Sequence, residues 1–208
     1  MKFKEYIKPF SIIFPVYFST SIPEMTLNYY NFLSKRFSQI EIIMIDDGSP
    51  LQMDYSAYSN INFLKLKRTK NWNQPAASNT GVRISKHDVI FHCNIDHLIS
   101  SRIIEYLLKN MPKKGEVFHF KRSYNGKNIN SNNNIYVMNK ADFGEGYDED
   151  FCGHYGYDDS YFFAIRNLRS RIIDIPLLVL DNKSHGLNRD ASHNRKLFDK
   201  KMKDAGKA

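Results

Sequence analysis

Cysteine is scarce in this chain: among 208 residues there are two, Cys93 and Cys152. Two widely separated cysteines are too few for a zinc site and, outside a secretory context, read as reduced thiols rather than a disulfide framework. Long hydrophobic runs are also missing. None approaches the roughly 18 residues a membrane span requires, and the first ten residues alternate lysines with aromatics where a secretory leader would show a continuous apolar stretch. The cytoplasm is therefore the expected compartment. Tryptophan occurs once, at Trp72, and glycine only ten times, with no internal repeat and no glycine- or proline-rich linker dividing the chain. Acidic residues fall short of basic ones, 22 against 30, leaving a net charge of +8.

What the chain has in quantity is apolar material. It is 42% hydrophobic with 15 Phe and 13 Tyr, which excludes a disordered chain and suffices for one medium domain to bury a core without staples. The excess positive charge suits a nucleic acid, an anionic membrane surface or a phosphate-bearing small substrate. Much of it sits near the end, at Arg195, Lys196, Lys200, Lys201, Lys203 and Lys207. That run reads as a solvated helix face, with weak peripheral membrane contact as the alternative; a nucleic-acid partner is not expected.

Residues 10–17 form a buried strand, and Ser21, Pro23 and Glu24 combine a capping box with a proline in the first turn of a helix over 22–37. Further buried strands are expected at 40–45, 61–66 and 89–94, with a helix at 76–85 before the last. This β-α-β-β-α-β order predicts an α/β fold with a Rossmann-like, mostly parallel mixed sheet flanked by helices. After a helix at 101–110, strands at 116–121 and 135–139 flank an asparagine-rich loop, 125–134. A helix at 158–167, short strands at 172–175 and 177–180, and a basic terminal helix complete the chain. The expected organisation is a single domain with unequal halves, 1–110 and 111–208.

Three acidic clusters stand where apolar runs stop: Asp46-Asp47-Gly48-Ser49, Asn94-Ile95-Asp96-His97 and, late in the chain, Asp158-Asp159. A β-branched run that ends on a carboxylate delivers an acid to one edge of a parallel sheet, where open α/β folds bind ligands. Tyr17, at the end of the first strand, could stack a flat ring while a carboxylate of Asp46 or Asp47 accepts a base N–H. An Asp-Gly turn beside a core tyrosine fits the same residues equally well. His97, following a strand end, reads more readily as a hydrogen-bonding residue than as a ligand. The loop Lys67–Pro75, with Lys70, Trp72 and Asn73, offers cations and amides near a helix N-terminus, or else a solvated basic loop anchored by Trp72.

In order, Ser-Ile-Ile-Phe-Pro15-Val-Tyr17, Glu-Ile-Ile-Met-Ile-Asp46-Asp47-Gly-Ser, Asn73-Gln-Pro-Ala-Ala-Ser-Asn79-Thr-Gly81 and Asn94-Ile95-Asp96-His97 resemble the successive motifs of family-2-type glycosyltransferases with the GT-A fold. The resemblance covers about the first half of the chain. It implies a nucleotide site at Pro15, Tyr17, Asp46, Asp47 and Asn79, and donor-sugar and diphosphate contacts at Lys70, Asn73, Asn94 and Ile95. The family's Asp-x-Asp holds a divalent metal on the diphosphate, and here Asn94 replaces the first Asp. The implied metal set is therefore Asp96, Asn94 and the late His185, with Mn²⁺ or Mg²⁺ as the ion suited to hard oxygen ligands.

The run from Gly146 to Asp159 resembles the Gly-Phe-Asp-Glu-x-Phe…Trp-Gly-x-Glu-Asp segment of inverting members, including chondroitin-polymerase-like and β-1,4-galactosyltransferase-like enzymes. It implies that Asp158 or Asp159 removes the acceptor proton; a helix cap with a first-turn acid is the plainer reading of that pair. Together these features predict a metal-dependent inverting glycosyltransferase, residues 1–110 holding a nucleotide-diphosphate sugar, most naturally a UDP-sugar, and 111–208 a carbohydrate or other hydroxyl acceptor. A degenerate nucleotide-sugar-binding protein is the alternative. A sugar-nucleotide pyrophosphorylase is disfavoured because no glycine lies between Pro15 and Pro23, and a basic nucleic-acid binder ranks below both.

Overall fold

Unbroken apolar runs can be buried on both faces only inside a sheet that helices cover, and the two longest lie side by side. Strands β1 (Phe10–Val16) and β2 (Ile40–Asp46) pair in parallel from Phe10↔Ile40 to Val16↔Asp46, and every residue of β2 is buried. The computed structural model describes residues 8–17, 24–50, 54–67, 70–180 and 188–207. Within them α1 (Glu24–Arg36) links β1 to β2, β3 (Asn62–Lys65) adds to the outer side of β2, and α2 (Gln74–Ile84) leads into β4 (Val89–His92) on the other side of β1. Pro75 in the first turn of α2 fixes φ where no N–H is needed.

The second half continues the same sheet. After β5 (His97–Leu98) and α3 (Ser101–Lys109) come β6 (Glu116–Tyr124), β7 (Lys127–Ile129) and β8 (Tyr136–Asn139). Then follow α4 (Lys140–Phe143), α5 (Asp158–Ala164), β9 (Arg169–Val179) and α6 (Ser192–Asp204). The strand order among the described residues is β3-β2-β1-β4-β8-β6-β9-β5, with β7 hairpinned onto β6. Strands β3 to β4 run parallel, and the sheet turns antiparallel where β8 joins β4 and β6. This is the mixed α/β sheet expected from the apolar runs, with β1, β2 and β4 all ending on one edge.

Gly81 shows how closely α2 lies on that sheet. A Cβ there would meet Ile13 Cγ2 at 2.4 Å and Ile45 Cγ1 at 3.2 Å. Gly81→Ala is expected to cost about 1–3 kcal/mol by overpacking, read as a lowered urea midpoint with an unchanged slope.

Two expectations are corrected here. The short strands at 172–175 and 177–180 are one strand, β9, because the ladder with β6 tolerates a break: the register jumps between Phe120↔Ile173 and Arg122↔Leu177, and Pro176 falls in the bulged stretch, where no ladder N–H is required. The asparagine-rich segment is not a single loop between two strands. Strand β6 runs on to Tyr124, turns through Asn125 and Gly126 at φ 48° and 75°, and returns as β7, as a two-residue Asn-Gly hairpin demands.

Candidate active site

Two adjoining cavities open at the edge where β1, β2 and β4 end. The first, about 340 Å³, is lined by Pro15, Tyr17, Asp47, Asn94, Ile95 and Asp96, with His97, Arg122, Val179 and Arg189 around them. The second, about 290 Å³, holds Asp158 and Asp159 with His154, Tyr157 and Ser160. Trp72, Gln74, Asn132, Asn134 and Tyr155 line both and form their common wall. The structure thus brings six of the sequence-derived candidates into one cavity and the late acidic pair into its neighbour.

Asp46 and Asp47 part company at the end of β2. Asp46 is fully buried and committed to the fold: Oδ1 accepts the Ser49 N–H (2.7 Å), and Oδ2 accepts the Tyr55 hydroxyl (2.5 Å) with Lys65 Nζ at 3.7 Å. Its carboxylate is occupied and absent from both cavity walls, whereas Asp47 lines the first. Asp47 is held by its own N–H on the Val16 carbonyl (2.9 Å), and its Oδ2 accepts the Asn73 N–H (2.9 Å). Asn73 thereby ties the turn before α2 to the end of β2 through its backbone, and Lys70 lies exposed outside the cavity walls, its Cδ 3.9 Å from where a Cβ on Gly153 would sit.

Asn79 lies outside both cavity walls. Its Nδ2 donates to the Tyr147 carbonyl and to Glu149 Oε1, both at 2.9 Å, while its Oδ1 accepts the Tyr147 N–H at 2.8 Å. This carboxamide is a strut between α2 and the segment leading to the second cavity. Gly146 is obligatory beside it, since its φ is 89° and an added Cβ would lie 2.3 Å from Asn79 Oδ1. Arg166 braces the same segment, donating to the carbonyls of Phe143 and Gly146 at 2.8 Å each.

Past the end of β4, Asn94, Ile95 and Asp96 turn along the floor of the first cavity. His97 Nδ1 donates to Asp96 Oδ1 at 2.6 Å, with His97 itself 2% exposed and its carbonyl bound by the Tyr30 hydroxyl. One oxygen of Asp96 is thereby fixed and the other remains at a side chain 34% exposed. His185 lies outside the described residues. Among the described residues no three His, Cys, Asp or Glu side chains converge as a metal set.

Asp158 and Asp159 open α5 in surroundings that resist charge. Tyr157, just before them, is left-handed at φ 65°, and no side chain caps the helix. Burial, with the Asp159 charge second, pushes the Asp158 carboxyl up to about 7; burial also raises Asp159, against hydrogen bonds from Ser160. The cause is visible one turn along α5, where Phe162 stacks on Tyr147 at 4.5 Å and Tyr136 at 5.8 Å. Burial lowers His92 to about 4, so it is neutral; its Nδ1 lies 2.9 Å from the Asn134 carbonyl and its Nε2 2.9 Å from the Ser78 hydroxyl, holding Asn134 at the shared wall.

The wall itself was largely missed by sequence reasoning. Trp72 appeared only as an anchor, and Tyr155, Asn132, Asn134, Arg122 and Arg189 not at all as site residues. Nothing short-range marks them, because β6, the loop before β8 and the segment after residue 188 meet only through the sheet and α6. That helix is docked: Asn194 is 1% exposed, its Nδ2 2.9–3.0 Å from the carbonyls of Phe151, His154 and Gly156, and Lys201 reaches Asp148 and Asp150 at 2.7 Å each.

Residues 11–172 match the family model described as Glycosyl transferase family 2. No curated protein matches the chain. Among solved structures, residues 1–349 of TarS from S. aureus superpose with a TM-score of 0.63 at 16% identity, covering 83% of this chain and 60% of that one. The same TarS segment in complex with UDP-GlcNAc gives 0.65 at 13% identity, covering 86% and 60%. The mannosyltransferase PcManGT from Pyrobaculum calidifontis, in complex with GDP-Man and Mn²⁺, gives 0.58 at 14% identity, covering 92% and 61%. The chain thus spans about 60% of the length of these structures, and at such identity the likeness is one of fold, the GT-A fold. Among the described residues no helix is long and apolar enough to cross a membrane.

Proposed function

The chain belongs to glycosyl transferase family 2, and from that premise we propose that it moves a sugar, with inversion, from a nucleoside-diphosphate donor in the first cavity to a hydroxyl acceptor in the second. The observation that carries this reading is the shared wall: a cavity with Tyr17, Asp47 and Asp96 opens directly onto one with Asp158 and Asp159. Residues 1–110 then supply most of the donor side and 111–208 the acceptor side. A UDP-sugar is the proposed donor, with Tyr17 stacking the base, Asp47 accepting from it, and Arg122 and Arg189 beside the diphosphate.

In the reaction the acceptor oxygen attacks the anomeric carbon from the face opposite the diphosphate. A C–O bond forms to that carbon as its bond to the diphosphate oxygen breaks, and the electron pair leaves with the nucleoside diphosphate. The acceptor proton passes to a carboxylate. Asp158 is assigned this base role over Asp159, because its carboxyl, raised to about 7, is poised to take and release a proton near neutrality.

The donor set fits a divalent ion that arrives with its substrate. Asp96 keeps one carboxylate oxygen after His97 has engaged the other, and Asn94 adds an amide oxygen; hard oxygen ligands of this kind suit Mg²⁺ or Mn²⁺ completed by phosphates and water. Such an ion supplies Lewis-acid stabilisation to a departing diphosphate. A second reading, a donor-binding protein without turnover, has in its favour that Asn94 brings no charge.

Calorimetric titration with UDP and GDP, with and without Mn²⁺, tests the proposal, followed by donor cleavage across a panel of sugar nucleotides. The expected result is UDP binding strengthened at least tenfold by Mn²⁺, and cleavage of a UDP-sugar. Absence of binding to either nucleotide overturns the transferase reading, and binding without cleavage of any donor favours the second reading.

A further inference from the structure

We propose that a further cavity, at the end of the sheet opposite the first two, binds the phosphate groups of a ligand, either a free polyphosphate or the headgroups of an anionic lipid surface. The inference stands apart from the transferase reading, since none of its residues lines either of the other cavities.

The position follows from strand direction. Strands β1 and β4 end at the edge with Tyr17 and Asp96, and this cavity lies where they begin. Its wall is built from Lys8, just before β1, from the end of α3 and the turn after it, and from the first residues of β6 and β9, with Asn139 at the end of the antiparallel β8. About 690 Å³ is open there, against about 340 and 290 Å³ in the other two, so a single phosphate would leave most of it empty.

The first observation is charge. Lys8, Lys109, Lys113, Lys114 and Arg171 line the cavity against one carboxylate, Glu116. That carboxylate is already engaged, Oε1 by the Arg169 guanidinium and Oε2 by the Lys113 N–H at 2.9 Å. Among the described residues no acidic side chain pairs with Lys8, Lys113, Lys114 or Arg171. The wall therefore holds a surplus of four positive charges, half of the chain's net +8. Like charges gathered in this way repel one another, and phosphate oxygens, which accept charge-assisted hydrogen bonds from lysine and arginine, relieve that repulsion.

The second observation is that the cations stand on fixed supports. The turn presenting Lys113 and Lys114 is held by three hydrogen bonds: Asn139 Nδ2 donates to the Pro112 carbonyl at 2.9 Å, the Glu116 N–H to the Lys113 carbonyl at 2.9 Å, and the Gly115 N–H to Asp142 Oδ2 at 2.7 Å. The Arg171 guanidinium lies 5.6 Å from the Phe118 ring, which with Leu108 and Pro112 forms a buried floor. An apolar floor strengthens each contact made above it. The end of α3 would oppose an anion, because a helix C-terminus is negative, but its carbonyls are taken. That of Tyr106 accepts the Asn110 N–H and Nδ2 at 2.9 Å each, that of Leu107 the Asn110 N–H at 3.1 Å, and that of Leu108 the Lys8 N–H at 3.4 Å. Nucleic acid fits less well, since Phe118, the aromatic on this wall, is 3% exposed and offers no ring face to a base.

The test uses the full chain with UDP in excess, so that phosphate contacts in the first cavity are filled. It is titrated with tripolyphosphate, with vesicles of equimolar phosphatidylglycerol and phosphatidylcholine, and with vesicles of phosphatidylcholine alone. The parent is expected to bind tripolyphosphate, the anionic vesicles or both, and not the neutral vesicles. Lys113→Glu/Lys114→Glu/Arg171→Glu should weaken that binding about tenfold or more, and the gentler Lys113→Gln/Lys114→Gln/Arg171→Gln about fivefold. Lys196→Glu/Lys200→Glu/Lys203→Glu, which makes the same charge change at exposed positions of α6, should shift it about twofold at most. Binding of tripolyphosphate identifies a soluble ligand, and binding confined to anionic vesicles identifies a lipid surface. Binding to neither, an affinity unmoved in the wall variants, an equal loss in the α6 variant, or tighter binding of oligothymidine than of tripolyphosphate at equal phosphate overturns the proposal. Failure of UDP to bind the parent overturns the transferase reading alone and leaves these comparisons intact.

Discussion

Asp158→Asn is expected to lower sugar transfer by about 10²–10⁴-fold while UDP still binds, because it removes the proton acceptor and leaves the first cavity untouched. In the unmodified protein the rate should rise with pH through an inflection near 7, the value to which burial and Asp159 push the Asp158 carboxyl, since only the ionised form accepts the proton. The same shift acts on stability. The folded chain holds this proton more tightly than the unfolded one, whose carboxyl has the ordinary value of 3.8. The associated stabilisation is full below about pH 4 and declines as pH rises through 7. At pH 8 the ionised carboxylate is therefore a liability. Asp158→Asn, inactive as a transferase, should melt higher than the parent at pH 8, by about 2–4 °C if about 1 kcal/mol is relieved, and the gap should narrow toward pH 4. Thermal melts of both proteins at pH 4, 6 and 8 measure it. An unchanged rate, or a gap that widens on acidification, would sink the assignment of Asp158 as the base.

Asp96→Ala is expected to abolish the Mn²⁺-dependent part of UDP binding and to lower donor cleavage about 10³-fold. With Asn94 uncharged, Asp96 is the one carboxylate in the Asn94–Asp96 segment, so its removal leaves that segment only an uncharged side-chain amide to offer a divalent ion. Metal-free UDP affinity should fall little, because the substitution leaves Tyr17 and Asp47, the proposed base contacts, in place. Titrations of the variant with and without Mn²⁺ separate the two contributions; a metal increment that survives the substitution would assign the ion to other ligands.

How far the sequence could be read depended on whether the information was local. The apolar runs of β1, β2 and β4 and the carboxylates at their ends were legible, because a strand buried on both faces has no other composition open to it. Asp46 and Asp47 are adjacent and chemically identical on the page, yet one is consumed by Ser49 and Tyr55 and the other lines a cavity. Residue type does not say which oxygens the backbone will claim. The same holds for Asn79, whose donor and acceptor are engaged by Tyr147, 68 positions away. The Asn125-Gly126 hairpin carries the strongest two-residue turn signal, yet residues 125–134 were expected to be one loop. Arg122 had no signal of any kind, being brought to the site only by the long reach of β6, whereas Tyr155 stands where the resembled Trp-Gly-x-Glu-Asp segment has its Trp and was not taken up as a site residue.

That docking also sets an order of events during synthesis. Strands β1 to β4 come from the first 92 residues and can pair as soon as they have left the ribosome. The loop carrying His154, Tyr155 and Gly156 is anchored by Asn194, 40 positions downstream of His154. A nascent chain therefore completes neither cavity before residue 194 has emerged, since Tyr155 lines both and Val179 and Arg189 line the first.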